Sequence, residues 1–97
     1  MRVSIIVEDG TVVIDGESIS GLDLSFVPNN VSAMQWYDTY GEVEYFSSLI
    51  DGVVTKPVNT LIQSLVDYQF AIDAHAVAKQ QLIDNAEEVV EITEKLN

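Results

Sequence analysis

Four residue types in this chain could carry chemistry: a single histidine, sixteen carboxylates, scattered serines and five glycines. His75 sits within Ala74-His75-Ala76. A general base or metal ligand needs a second histidine or converging carboxylates, and the adjacent Asp73 points elsewhere on a helix. The expected place for His75 is a helix flank, in a structural role. A calcium loop of the EF-hand kind needs oxygen ligands at alternate positions, a fixed glycine and a glutamate six residues later, and no segment has that spacing. Asp9 and Asp15 fall in turns, where aspartate caps local backbone. Glu42 and Glu44 alternate with Val43 and Tyr45, as charges on the solvent face of a strand do. Glu87, Glu88, Glu91 and Glu94 read as a solvated helix face. No serine lies in a Gly-x-Ser-x-Gly elbow, and the single glycines mark turns rather than a phosphate loop. The expectation is a non-enzyme with no catalytic residue, no metal and no cofactor.

Composition narrows the field further. The 97 residues hold sixteen acids and four bases, a formal net charge of −12, and no cysteine. Disulfides, zinc–thiolate sites and thiol redox chemistry are excluded. Direct nucleic-acid binding is not expected, because Arg2, Lys56, Lys79 and Lys95 are too few and too scattered to grip a polyanion. Hydrophobic residues make up 47% of the chain, enough for one core. The most apolar stretch, residues 58–78, is interrupted by Asn59, Gln63, Asp67, Gln69, Asp73 and His75, so no membrane span is expected. The start, Met1-Arg2-Val3-Ser4-Ile5-Ile6-Val7-Glu8, is not a secretory signal and reads as a first strand of a cytoplasmic protein.

The elements that would position any site divide at about residue 54, within a single domain spanning 1–97. Residues 1–54 are punctuated by Asp9-Gly10, Asp15-Gly16, Ser20-Gly21, Pro28-Asn29-Asn30 and Asp38-Thr39-Tyr40-Gly41. Val3–Val7 and Thr11–Asp15 flank Asp9-Gly10 and should pair antiparallel through a two-residue turn. Leu22–Val27 alternates like a half-buried strand, and Val31–Tyr37 and Gly41–Phe46 follow. The sum is an antiparallel β-meander of four or five strands.

Residues 55–97 change to helix formers, with no glycine after Gly52 and no proline after Pro57. Thr55 as N-cap and Pro57 in the first turn would start one helix running from about Lys56 to Leu96. Such a rod, about 60 Å long, exceeds a domain roughly 30 Å across. It must break, with Asp84-Asn85 and Glu87 offering a capping box, or overhang its sheet. An overhang that packs its first half and offers its second half to another chain is the preferred reading. The architecture is α+β. Acidity is spread along the chain, with nine acids and one base through residue 55 and seven acids and three bases after it.

The densest aromatic run is Met34 to Phe46. Met34 and Trp36 are expected in the core. Tyr37 and Tyr40 fall on the alternate face or in the turn, where amphipathic rings can anchor a protein partner. With the apolar helix positions Leu82, Val89, Val90 and Leu96, they are the candidate partner-binding residues. If the second half of the helix is a seam, Leu82→Asp disrupts self-association.

The runs Glu8-Asp9-Gly10-Thr11-Val12-Val13-Ile14-Asp15-Gly16, Gly21-Leu22-Asp23-Leu24-Ser25-Phe26-Val27-Pro28, Gln35-Trp36-Tyr37 and Gly41-Glu42-Val43-Glu44-Tyr45 carry a resemblance. Over about residues 5 to 46 the chain resembles a group of small proteins encoded by tailed bacteriophages near tail and tail-fibre genes. The resemblance implies a phage origin, and with it a location in the host cytoplasm or the virion; the partner, a tail component or a second copy, is expected from the overhanging helix. The expected function is a structural or tail-assembly protein acting by protein–protein contact, as a homo-oligomer or part of a larger assembly. The alternative is an acidic DNA mimic that inhibits a host nucleic-acid-binding or defence enzyme. A mimic needs carboxylates on one face and little exposed apolar surface; an assembly protein needs an apolar surface covered by another chain.

Overall fold

The computed structural model describes residues 1–95, with side chains through residue 86. The chain forms β1 (Arg2–Ile6), β2 (Thr11–Ile14), β3 (Glu17–Ile19), β4 (Val31–Tyr37), β5 (Gly41–Tyr45), β6 (Ser48–Ile50), β7 (Val53–Thr55) and β8 (Thr60–Ile62). A 3-10 turn at Val66–Tyr68 leads into one helix, α1 (Gln69–Lys95). Six strands make an antiparallel sheet in the order β3-β2-β1-β4-β5-β8, and β6 and β7 pair separately. The expected α+β class holds, with six strands in the main sheet rather than four or five. The order is also not a simple meander, because β3 and β4 are consecutive in sequence yet separated by β2 and β1.

The first hairpin forms where its sequence places it, Val3 opposite Ile14 and Ile6 opposite Thr11, but its loop is four residues, 7–10, rather than two. Gly10 closes it at φ +61°, donating its N–H to the Val7 carbonyl at 3.1 Å. A Cβ there would stand 2.6 Å from the Leu22 carbonyl oxygen, and the Leu22 N–H donates to the Gly10 carbonyl at 2.9 Å. This clamp holds the connection between β3 and β4 against the sheet.

That connection corrects the expected strand at Leu22–Val27. The chain must return from the edge strand β3 to the far side of β1, and it does so by turning. The Asp23 carboxylate accepts the Ser25 N–H at 3.0 Å, and the Val27 N–H donates to the Leu24 carbonyl at 3.1 Å. Leu24 and Val27, three residues apart, are buried, while Phe26 is 78% exposed and meets the edge of Phe70 at 5.6 Å. The apparent two-residue period yields to local side-chain capping.

One face of the sheet is the core. Val3 lies opposite Trp36, Ile5 opposite Met34, and Met34 opposite Val43, so these side chains share a side. With Val12, Leu24, Val27, Val31, Tyr68 and Ala71 they form the buried cluster. Gly41 makes room for this packing: a Cβ would stand 2.9 Å from the Trp36 ring and 2.6 Å from the Gln35 carbonyl oxygen. The opposite face carries polar pairs, with the Ser4 hydroxyl donating to Gln35 Oε1 at 2.5 Å.

The helix differs from its expected start. Thr55 ends β7 and Pro57 lies in an extended segment, so neither caps a helix. The β-branched residues Val58, Thr60 and Ile62 are weak helix formers, and Thr60–Ile62 instead pairs along the edge of β5. The Ser64 hydroxyl then accepts the Val66 N–H at 3.1 Å, nucleating the turn that precedes α1. From Gln69 the helix is continuous for 27 residues and does not break at Asp84-Asn85. At about 1.5 Å per residue it is roughly 40 Å long. Its first turns bury Ala71 and His75, whereas every side chain from Lys79 to Ala86 is exposed. The radius of gyration, 17.7 Å, exceeds the roughly 13 Å of a compact domain of this length, and the extents are 68 × 32 × 19 Å. The overhanging reading of the helix fits these dimensions.

Candidate functional site

Among the described residues no group of histidine and carboxylate side chains is arranged to hold a metal ion, and no helix is long and apolar enough to cross a membrane. What the structure presents instead is apolar surface outside the core.

The most distinctive surface is an arm, residues 46–59, inserted between β5 and β8. Its root is fixed where β5 and β8 pair, with Val43 opposite Thr60 and a 2.6 Å hydrogen bond between the Tyr45 and Thr60 hydroxyls. Beyond that root, β6 and β7 form a hairpin through Asp51-Gly52, both in left-handed conformation at φ +51° and +78°. These are the angles of a tight two-residue turn, which Asp-Gly adopts at little cost. Leu49 lies opposite Val54 on one face, and Ile50 opposite Val53 on the other. All four are exposed, Leu49 by 71% and Val54 by 73%, and Val58 at the arm's return is 87% exposed.

Apolar side chains stand uncovered on both faces of this hairpin. A two-stranded hairpin alone is marginal in water, since neither face is covered. Its strands are only three residues each, and Lys56-Pro57 ends the β7 edge, so the open edge is short. Phe46 and Leu61 at its root are exposed as well. The arm also stands apart electrostatically. It contains one acid, Asp51, and one base, Lys56, on a chain of net charge −12. Among the described residues the ion pairs are the N-terminal ammonium with Asp38 at 2.6 Å and Lys79 with Glu17 at 2.8 Å, so Lys56 is in neither.

The candidates singled out from the sequence lie elsewhere and do not converge. The Tyr37 and Tyr40 rings pack in a tilted pair, 5.2 Å between centres, across the β4–β5 turn, and the Tyr37 N–H donates to the Tyr40 carbonyl at 2.7 Å. The Arg2 guanidinium lies 5.6 Å from the Tyr37 ring centre, a cation–π contact. Beside them the N-terminal ammonium donates a hydrogen bond to Asp38, which holds that carboxyl below its ordinary range and raises the ammonium. The tyrosines thus help close a turn, with Tyr40 still exposed. Leu82 is exposed on the overhanging helix, beside a groove of about 500 Å³ that Ile19, Leu22 and Ala78 also line. The side chains of Val89 and Val90 lie outside the described residues, as does Leu96.

His75 is buried, and its Nε2–H donates to the Glu17 carbonyl at 2.8 Å. With the Lys79–Glu17 ion pair it pins α1 to β3, which is a structural task. The arm itself escaped the reading of residue spacing. Its signal was present in Leu49-Ile50-Asp51-Gly52-Val53-Val54: an Asp-Gly pair flanked by β-rich residues, free of charge on both strands.

No protein-family model matches this chain, and neither does any curated protein or solved structure.

Proposed function

We propose that this chain is a bacteriophage structural or tail-assembly protein that works by protein–protein contact, with the 46–59 arm as its docking element. The observation that carries this reading is the arm itself. Leu49, Ile50, Val53, Val54 and Val58 are exposed on a hairpin that no part of the described chain covers. Burial returns about 25 cal/mol for each Å² of apolar surface removed from water, so a partner that wraps the arm gains most of its affinity there. The continuous overhanging helix, with Leu82 and Ile83 exposed, adds a second apolar surface of the kind an assembly protein needs. The resemblance of residues 5 to 46 to small tailed-phage proteins supplies the setting. A DNA mimic would have no use for an apolar arm of zero net charge.

The test is genetic and structural. Leu49→Asp with Val54→Asp, introduced into the phage that encodes the chain, should lower the yield of infective particles at least tenfold. Defective tails or loss of the chain from purified particles would accompany the drop. An unchanged yield with normal tails contradicts the proposal, as does recovery of the wild-type chain in a salt-sensitive complex with a basic host enzyme.

A further inference from the structure

Resting on the reading of the arm as a docking element, we infer that its occupant is a second copy of this chain. The two arms cross about a two-fold axis, so that the tip of each meets the base of the other. Three observations point to that occupant. The first is charge. Two chains of net charge −12 repel over most of their surfaces, and residues 46–59, with one acid and one base, are a stretch where carboxylates are few, the Glu42 carboxylate bonded to Asn59 at the base being the exception. The second is the placement of the arm's only two charges. Asp51 is at the tip and Lys56 just past the end of β7 at the base, roughly 13 Å away along the strand and too far to pair within one arm. In an antiparallel crossing each Asp51 falls beside the partner's Lys56, and both pairs form at once because the contact is isologous. The third is the two-faced apolar surface. The exposed apolar residues line both faces of the hairpin, Leu49 and Val54 on one and Ile50 and Val53 on the other, so an arm laid across either face meets apolar side chains.

The experiment uses the full chain in light scattering over a dilution series. The wild type should have twice the 10.7 kDa chain mass. Val54→Asp, with an unchanged circular dichroism spectrum, should be reduced to the single-chain mass. Asp51→Lys and Lys56→Asp each place like charges at both contacts, and each alone should raise the dissociation constant about tenfold or more. Mixed in equal amounts, these two variants match tip to base in both directions, and the mixture should return to within about threefold of the wild type. A wild type that stays at single-chain mass at all concentrations overturns the inference, and so does a mass above two chains or a mixture that fails to recover. Leu82→Asp abolishing the dimer while Val54→Asp leaves it intact would move the interface to the helix and also overturn it. A monomeric wild type whose arm variants still fail to support particle assembly removes only the second copy as occupant. Arm variants that support assembly normally remove the docking role itself.

Discussion

Two hairpins in this molecule are built from the same local instruction and meet opposite fates. β2–β3 turns at Asp15-Gly16, with φ +48° and +85°, and β6–β7 turns at Asp51-Gly52, with φ +51° and +78°. Both are two-residue Asp-Gly turns between short β-rich strands. In the first, Val12 is fully buried, Ile14 packs on the core, and His75 and Lys79 reach down from α1 to Glu17. In the second, every residue of both strands is exposed. The turn code therefore determines that a hairpin forms. Whether the hairpin becomes core or arm depends on what the rest of the chain lays over it.

The contrast can be broken most forcefully from the body. Met34 has no solvent exposure, and Met34→Ala should cost about 2–5 kcal/mol, because cavity formation adds to lost transfer energy. Chemical denaturation would read this as a lower midpoint with unchanged slope. Next is Gly41→Ala, whose methyl would press on the Gln35 carbonyl and the Trp36 ring; overpacking of this kind costs about 1–3 kcal/mol. His75→Ala removes the pin between α1 and β3 and should cost about 1–2 kcal/mol, with hydrogen exchange rising first in β3. Val54→Asp, on the arm, should change the stability of the dissociated chain by no more than about 0.5 kcal/mol while abolishing association. A large loss of stability in that variant would mean the arm behaves as core. The smallest effect concerns Tyr68, whose phenol is pushed above its ordinary value of 10.0 chiefly by burial, with the neighbouring Tyr45 and Asp67 adding to the shift. Burial favours the neutral phenol in the folded state. That contribution is complete below pH 10.0 and is lost as pH rises through the raised folded value. Tyr68→Phe should flatten this alkaline decline in thermal midpoint.

The residues allow a part of this to be read directly. Gly10, Asp15-Gly16 and the alternation in Val3–Ile14 and Met34–Tyr45 announce the sheet, and the alanine- and glutamate-rich end announces the helix. What fails is wherever side-chain capping or tertiary pairing outbids the pattern of spacing. Leu22–Val27 alternates like a strand yet turns, because the Asp23 carboxylate caps the Ser25 N–H locally. Val58–Val66 keeps helical spacing yet gives β8, because the β5 edge offers hydrogen bonds that a β-branched segment satisfies better than a helix would. The arm is hard to read for a different reason: a pattern of alternating apolar residues says that side chains share faces, not that any face is covered. Tyr37 and Tyr40 are legible as an aromatic cluster, and their rings pack on each other across the β4–β5 turn with Tyr40 still exposed.

The central claim is that the 46–59 arm is open on the single chain and covered in the assembled state. Amide hydrogen exchange across a dilution series tests it most directly, comparing Leu49, Ile50, Val53 and Val54 with Val3, Ile5 and Met34. The core amides should be protected at every concentration, and the arm amides should be fast when dilute and slow once copies associate. Arm amides that exchange at one rate throughout, whether protected or open, would contradict it.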